Sequence, residues 1–205
     1  MVLSAAYYFT DGPKYASKAE ELLRVWFVDN STKMNPNLVY SETVRGNNNT
    51  HSSGIMAGKG LTDVIDAIGL IQDSSAWTKE EQAAVRSWFT KYLDWLMNSP
   101  PGKEEGQSLN NHGTYYYGQV ASIAAFLNKT AIAKNAIEES KRSLAVKIQP
   151  DGRQPFELQR NNALDYSLFN LQGLYRLANI GKRLGVDYGI ILALGDLCCR
   201  RRWTF

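Results

Sequence analysis

The sequence predicts an all-α protein built of antiparallel helical hairpins. Apolar residues recur with the 3.6-residue period of a helix over six long segments, and few segments alternate with the period of two typical of a half-buried strand. Successive long helices pack as antiparallel hairpins, which stack into bundles, solenoids or toroids. The 205 residues, 44% of them hydrophobic, are enough for one sizeable core, most simply one domain.

Three helices are predicted in the first hundred residues. Residues 13–29 and 60–72 each carry an apolar stripe with helical spacing. Residues 78–98 have the clearest start, because Thr78 and Glu81 have the spacing of a capping box. The proline pair that follows ends this helix.

Three more helices are predicted in the second half, over residues 114–128, 130–148 and 163–185. The last closes on Gly185, a residue that readily adopts the left-handed conformation at a helix C-terminus. Segments rich in Asn, Gly and Ser are predicted to be irregular: residues 30–59, 99–113 and 149–162. Long loops at one rim of a helical scaffold are where function tends to lie.

Charge and cysteine content exclude several classes of partner. The net charge of +3 is mildly basic and gives no argument for nucleic acid, although it suits an anionic substrate. No apolar run is long enough to span a bilayer, so we expect no membrane partner. Cys198 and Cys199 are adjacent and form neither a metal-ligand spacing nor a disulfide framework. The stretch "GIMAGKG" lacks the ending of a phosphate loop, so we expect no nucleotide, no metal and no other cofactor.

Targeting signals favour a secreted protein. The first residues, "MVLSAAYYFTDG", lack the basic and apolar regions of a signal peptide. Three acceptor triplets for N-glycosylation, at Asn30, Asn48 and Asn128, nevertheless favour a secretory history. We therefore expect a mature or incomplete chain from an extracellular or periplasmic-type compartment.

The C-terminal tail differs from the rest of the chain. Residues 189–205 have no amphipathic period and end in a basic and aromatic cluster. The tail is either a buried terminal segment or, as we favour, a segment foreign to the domain. In both cases we expect it to pack poorly or to substitute for missing helices.

Polar side chains concentrate in three stretches: "SLNNHGTYYYGQ" at 108–119, "ELQRNNALDYS" at 157–167 and "SETVRGNNNTHSSGIMAGKG" at 41–60. Each has an ordinary structural interpretation. Asn and Gly before a helix are typical of an N-cap, and tyrosines most often pack in a core with a wet hydroxyl. Arg160 would then be a solvated charge and Tyr166 a core anchor.

The first two stretches together also resemble a known family. "NNHGTYYYGQ", followed about forty residues later by "QPFELQRNNALDYSLFNLQGLYRLA", resembles the alginate-lyase domain family of polysaccharide lyases, and the resemblance covers roughly residues 5–188. It implies an incomplete α/α toroid over residues 1–188, whose helical hairpins curve around a cleft for an acidic polysaccharide. Family domains are generally longer, so the resemblance also implies a truncated toroid.

The reaction implied by the resemblance is β-elimination at a uronic acid, without a metal. Asn111 and Arg160 would neutralise the substrate carboxylate, because an amide and a forked guanidinium both donate hydrogen bonds to it. His112 and Tyr166 would exchange protons at C5 and at the leaving O4. Weaker candidates for substrate contact are Arg45, Asn110, Tyr116 and Gln119.

Two other classes of function stay open at this point. A helical carbohydrate-binding module, or an inactive truncated homologue, would keep the aromatic and polar residues without turnover. A protein-interaction scaffold would use the Asn-Asn-His run only as a helix cap. The lyase is favoured because all four polar roles are filled, and a scaffold needs none of them.

Overall fold

The computed structural model describes residues 1–43, 46 and 51–189. The described chain contains helices and no strand, so the predicted all-α class is confirmed. A 3₁₀ segment covers Ser52–Lys59. The α-helices are α1 Val2–Thr10, α2 Pro13–Phe27, α3 Gly60–Ile71, α4 Lys79–Asn98, α5 Pro100–Gly106, α6 Asn111–Phe126, α7 Thr130–Arg142, α8 Leu144–Lys147, α9 Pro155–Leu158 and α10 Ala163–Leu184.

Contacts divide the chain into two compact units, Met1–Lys103 and Glu104–Phe205. A single domain over residues 1–188 stays a prediction. The tail that was predicted to pack poorly lies outside the described residues from position 190 onward, and so does the candidate substrate contact Arg45. No helix in the described part of the chain combines the length and the apolar character needed to cross a membrane.

The first unit is held together by an aromatic core between α2 and α4. The Phe27 ring lies 4.8 Å from Trp88 and 5.5 Å from Phe89, and Trp88 stacks on Tyr92 at 5.4 Å. The Trp88 indole N–H donates to the Met34 carbonyl at 2.7 Å, which satisfies the one polar atom of that ring. Such clusters stabilise by removing large apolar surfaces from water.

The start of α4 confirms a prediction from the sequence. The Thr78 hydroxyl accepts from the Glu81 backbone N–H at 3.2 Å, and the Thr78 backbone N–H donates to the Glu81 carboxylate at 3.2 Å. These reciprocal bonds form a capping box and satisfy two backbone donors that a helix start leaves without partners.

The second unit is built around α6, which is buried along most of its length and packs against α7 and α10. A short connection joins α6 to α7 as a helical hairpin. The Lys147 ammonium at the end of α8 donates to the Thr114 hydroxyl near the start of α6, so the α7–α8 segment runs back along α6. α10 ends at Gly185 in the left-handed conformation with φ 72°, as predicted.

Several short helices contradict the predicted boundaries. Segments predicted to be irregular contain the 3₁₀ segment, α5 and α9, and α1 was not predicted because its residues show no clear apolar stripe. α5 begins at Pro100 itself, because proline lacks only an N–H that the first turn leaves unpaired. The helix predicted over 130–148 is interrupted at Ser143, which separates α7 from α8.

Candidate active site

The Asn-Asn-His run begins α6. Asn110 is the N-cap residue, and its side-chain oxygen accepts from the His112 backbone N–H at 3.0 Å. This residue therefore fulfils the capping role expected of asparagine. Gly113 follows inside the helix, and any side chain there would collide with the Ser108 carbonyl oxygen. The glycine thus permits the loop to pass close to the first turn of α6.

A buried carboxylate orients His112. Its Nδ1 lies 2.7 Å from the Oε1 atom of Glu105, a residue on α5 that is only 2% exposed. A carboxylate accepts hydrogen bonds, so this contact places the ring proton on Nδ1 and leaves Nε2 for exchange with a ligand. Gly106 holds this segment close to α6, because a Cβ there would lie 2.9 Å from the Tyr116 ring.

A second buried carboxylate holds Asn111. The Asn111 backbone N–H donates to Glu157 Oε1 at 2.5 Å, and its side-chain Nδ2 donates to Glu157 Oε2 at 2.8 Å. Asn111 and Glu157 are each 1% exposed. Because both oxygens of Glu157 bind one residue, the position and the rotamer of Asn111 are fixed together. One amide hydrogen of Nδ2 is not used by Glu157.

Arg160 and Tyr166 form a stacked pair. The guanidinium carbon of Arg160 lies 4.1 Å from the centre of the Tyr166 ring, which is a cation–π contact, and both residues are half-buried. Arg160 follows α9, and its backbone N–H donates to the Glu157 carbonyl at 3.0 Å. Tyr166 lies in the first turn of α10, where its backbone N–H donates to the Asn162 carbonyl at 3.0 Å.

Contacts link the start of α6 to α9 and to α10. Glu157 of α9 binds Asn111, and the side-chain oxygen of Gln154, the N-cap residue of α9, accepts from the Asn170 amide of α10. Thr114 of α6 lies against Gly173 of α10, where a Cβ would approach the Thr114 methyl group to 2.9 Å. The two halves of the polar constellation are linked through Glu157, because its carboxylate binds Asn111 and its carbonyl accepts from the backbone N–H of Arg160, which stacks on Tyr166.

Comparison with known proteins identifies the family. The family model described as Alginate lyase matches residues 1–190. The chain belongs to the alginate lyase family.

A solved structure supports the same conclusion. An alginate lyase from Bacteroides ovatus matches with a TM-score of 0.87 and 37% sequence identity, over 90% of this chain and 50% of that one. The present chain thus spans about half of the length of the alginate lyase it matches. The helical toroid fold class that the resemblance implied is confirmed by this match. The search of curated proteins found no match.

Two further candidates of this family member lie deeper in α6. Tyr116 is buried, and burial, with a smaller effect of Tyr117, raises the pKa of its phenol to about 12. Gln119 is 1% exposed and lies two turns along α6 from Asn111. The structure therefore does not bring Gln119 to the helix end that carries His112, and contact of either residue with substrate stays a prediction.

Three functional candidates were missed by sequence reasoning: Glu105, Glu157 and Lys147. Each is buried, and each binds a residue in the first turn of α6. Glu157 stands inside the stretch "ELQR" that carries part of the family resemblance, which is the signal that could have found it. Nothing in the local sequence distinguishes Lys147. In the described part of the chain no cluster of three or more His, Cys, Asp or Glu side chains could hold a metal.

Proposed function

We propose that this chain is a polysaccharide lyase that cleaves a uronic-acid-containing polysaccharide by β-elimination. One observation carries the proposal: an imidazole held by a buried carboxylate lies beside Asn111 in the first turn of α6, and Glu157 links Asn111 to the stacked pair of Arg160 and Tyr166. Family membership supports it, and so does the 37% identity with a protein named an alginate lyase.

The first task of such a site is to neutralise the uronate carboxylate. The C5 proton of a uronate is a poor acid, because its loss places further negative charge on a group that is already charged. Donors aimed at this carboxylate stabilise the enolate-like species that forms. Arg160 supplies a charged fork that matches a carboxylate, and Asn111 supplies the amide hydrogen that Glu157 leaves unused.

The second task is proton transfer. One group takes the C5 proton, the C4–O4 bond breaks, a C4–C5 double bond forms, and a second group gives a proton to the leaving O4. His112 Nε2 and the Tyr166 hydroxyl fill these two roles. Which of them is the base depends on the configuration of the uronate at C5, so both assignments stay open.

A site that neutralises a carboxylate beside the reacting carbon calls for a uronic-acid-containing substrate. Because a polysaccharide is large, we infer a secreted location. Asn30 and Asn128, two of the acceptor asparagines, are exposed, as glycosylation in a secretory compartment requires. We therefore place this lyase outside the cytosol, where acidic polysaccharides are met.

The test is a screen of polyuronates for the unsaturated uronate product, which absorbs in the ultraviolet. We expect product from at least one polyuronate. Arg160→Ala should lower both affinity and turnover, because its charge meets the carboxylate in the ground state and the transition state alike, whereas Asn111→Ala should mainly lower turnover. Arg183→Ala, at an exposed arginine of the last turn of α10, is the matched control. Binding of polyuronates without product from any of them would instead identify a carbohydrate-binding module.

A further inference from the structure

A lysine side chain is buried next to the first turn of α6, which carries Asn111 and His112. Lys147 ends α8, is only 2% exposed, and donates from its ammonium to the Thr114 hydroxyl at 3.1 Å. A Cβ at Gly113 would lie 3.4 Å from the same nitrogen, so the ammonium packs against the first turn of α6. A buried charge lowers stability unless a partner compensates it, so the burial of Lys147 indicates a compensating group and a role other than stability.

The charge that compensates Lys147 is Glu157. Glu157 binds Asn111, two residues before Gly113, so the carboxylate and the ammonium both lie against the first turn of α6, where Gly113 and Thr114 are uncharged. The attraction of Glu157 opposes the larger decrease that burial causes in the pKa of Lys147. The other ionisable groups described at this helix end are engaged with one another, His112 with Glu105 and Arg160 with Tyr166. Glu157 itself is occupied on both oxygens by Asn111.

Glu157 creates an electrostatic problem for an anionic substrate. Its carboxylate fixes Asn111, yet an uncompensated negative charge there would repel the uronate carboxylate and oppose the enolate that forms on it. A buried positive charge near Glu157 reduces this opposition while leaving both hydrogen bonds to Asn111 in place.

We propose that Lys147 is a positioning residue for the elimination, whose buried ammonium neutralises Glu157 so that Glu157 can hold Asn111 without repelling the substrate. This inference rests on the proposed lyase function. Lys147 acts through Glu157 and Asn111 and does not touch the substrate.

The pairing of Lys147 with Glu157 should change how activity depends on pH. Burial lowers the pKa of the Lys147 ammonium to about 8, and the attraction of Glu157 limits that decrease. Above this pH Lys147 loses its proton and its positive charge, so the site becomes more negative. We expect kcat/KM of the wild-type protein to fall by about tenfold or more through an alkaline limb near this pKa.

The burial of Lys147 also has an effect on stability that can be measured without turnover. The pKa of Lys147 is lower in the folded chain than the ordinary value of 10.5, so between these two values the unfolded chain binds more protons. The contribution of this group to stability therefore rises with pH across that window. Replacing Lys147 removes this rise.

The experiment compares Lys147→Met, Glu157→Gln and the double variant over a range of pH, with Lys134→Met, an exposed lysine of α7, as the matched control. Lys147→Met should lower kcat/KM about tenfold or more near neutral pH and abolish the alkaline limb. The same substitution should cost less in the Glu157→Gln background, because the charge to be neutralised is gone. Lys147→Gln, which keeps a donor for Thr114, serves if the Met variant does not fold.

Different outcomes overturn different claims. If folded Lys147→Met keeps the wild-type kcat/KM and alkaline limb, or costs equally in both backgrounds, Lys147 has no positioning role. If its stability rises with pH as in the wild type, Lys147 is not the buried titrating group. A wild-type protein without product on any polyuronate overturns the proposed function, and the positioning role with it, while the stability slope still shows whether Lys147 titrates as a buried group.

Discussion

The two compact units bury polar groups to different extents. Among the described residues, the first unit buries four polar or charged residues: Ser4, Glu20, Thr62 and Ser74. The second unit buries ten: Glu105, Asn111, Thr114, Gln119, Ser122, Ser140, Lys147, Gln154, Glu157 and Asn170. The two units are of nearly equal length, so the difference reflects how their cores are built.

Buried polar groups require partners, and in the second unit most partners meet at one place. Two buried carboxylates, Glu105 and Glu157, bind consecutive residues at the start of α6, and Lys147 binds Thr114 in the same turn. Replacing such groups with apolar residues is often neutral or stabilising, so they indicate a requirement other than stability. The first unit, by contrast, has the close-packed apolar core expected of a scaffold. Substitutions should therefore change stability in the first unit and activity in the second.

Tyr166→Phe gives the largest expected effect on activity. The substitution removes one hydroxyl and leaves the ring for Arg160 to stack on. Turnover on the best polyuronate should fall by about 10²–10⁴-fold, as is usual for an acid–base group, while the thermal midpoint changes little. Initial rates of ultraviolet product measure it. Tyr175→Phe, on the same helix and 56% exposed, should keep the wild-type rate. Wild-type turnover in folded Tyr166→Phe would exclude Tyr166 from proton transfer.

Phe89→Ala tests the prediction that substitutions in the first unit change stability. Phe89 is fully buried and contacts Phe27 and Trp88. Removing its ring should lower the free energy of unfolding by about 3–5 kcal/mol, because the substitution removes apolar contacts and leaves a cavity. Chemical denaturation followed by circular dichroism measures the loss. Trp26→Ala, at an aromatic residue of α2 that is 56% exposed, should cost far less. Equal losses in both variants would show that the aromatic core does not dominate stability.

The long helices of both units and the polar residues at the starts of α6 and α10 were predictable from the sequence, because they depend on residues close together in the chain. The capping box at Thr78 and the left-handed Gly185 follow from a few adjacent residues. Glu157 and Lys147 bind partners 46 and 33 residues away, so their roles depend on tertiary packing that periodicity does not encode. The short helices α5 and α9 were missed because segments of seven and four residues are too short to show an apolar period.

Glu105→Gln should have an intermediate effect on activity. The amide keeps the shape of the carboxylate but removes its charge and can donate instead of accept, so the tautomer and orientation of His112 are no longer fixed. We expect turnover to fall by roughly 10–100-fold with KM nearly unchanged, as for other groups that orient a functional imidazole. Glu104→Gln, at the exposed neighbouring residue, is the control. A drop in stability that accounts for the whole loss would assign Glu105 to the core instead.

Thr78→Ala gives the smallest expected effect, a loss of stability confined to the first unit. The substitution removes the hydroxyl that accepts from the Glu81 backbone N–H and leaves that donor to water at the start of α4. The loss of a helix cap costs about 1 kcal/mol, seen as a lower midpoint in denaturation. Thr78→Ser keeps the hydroxyl and should recover most of this stability. Because Thr78 is not among the residues proposed for the site, the turnover of Thr78→Ala should equal that of the wild type at a temperature where both are folded. A reduced turnover under those conditions would show that the two units are not separated into scaffold and site.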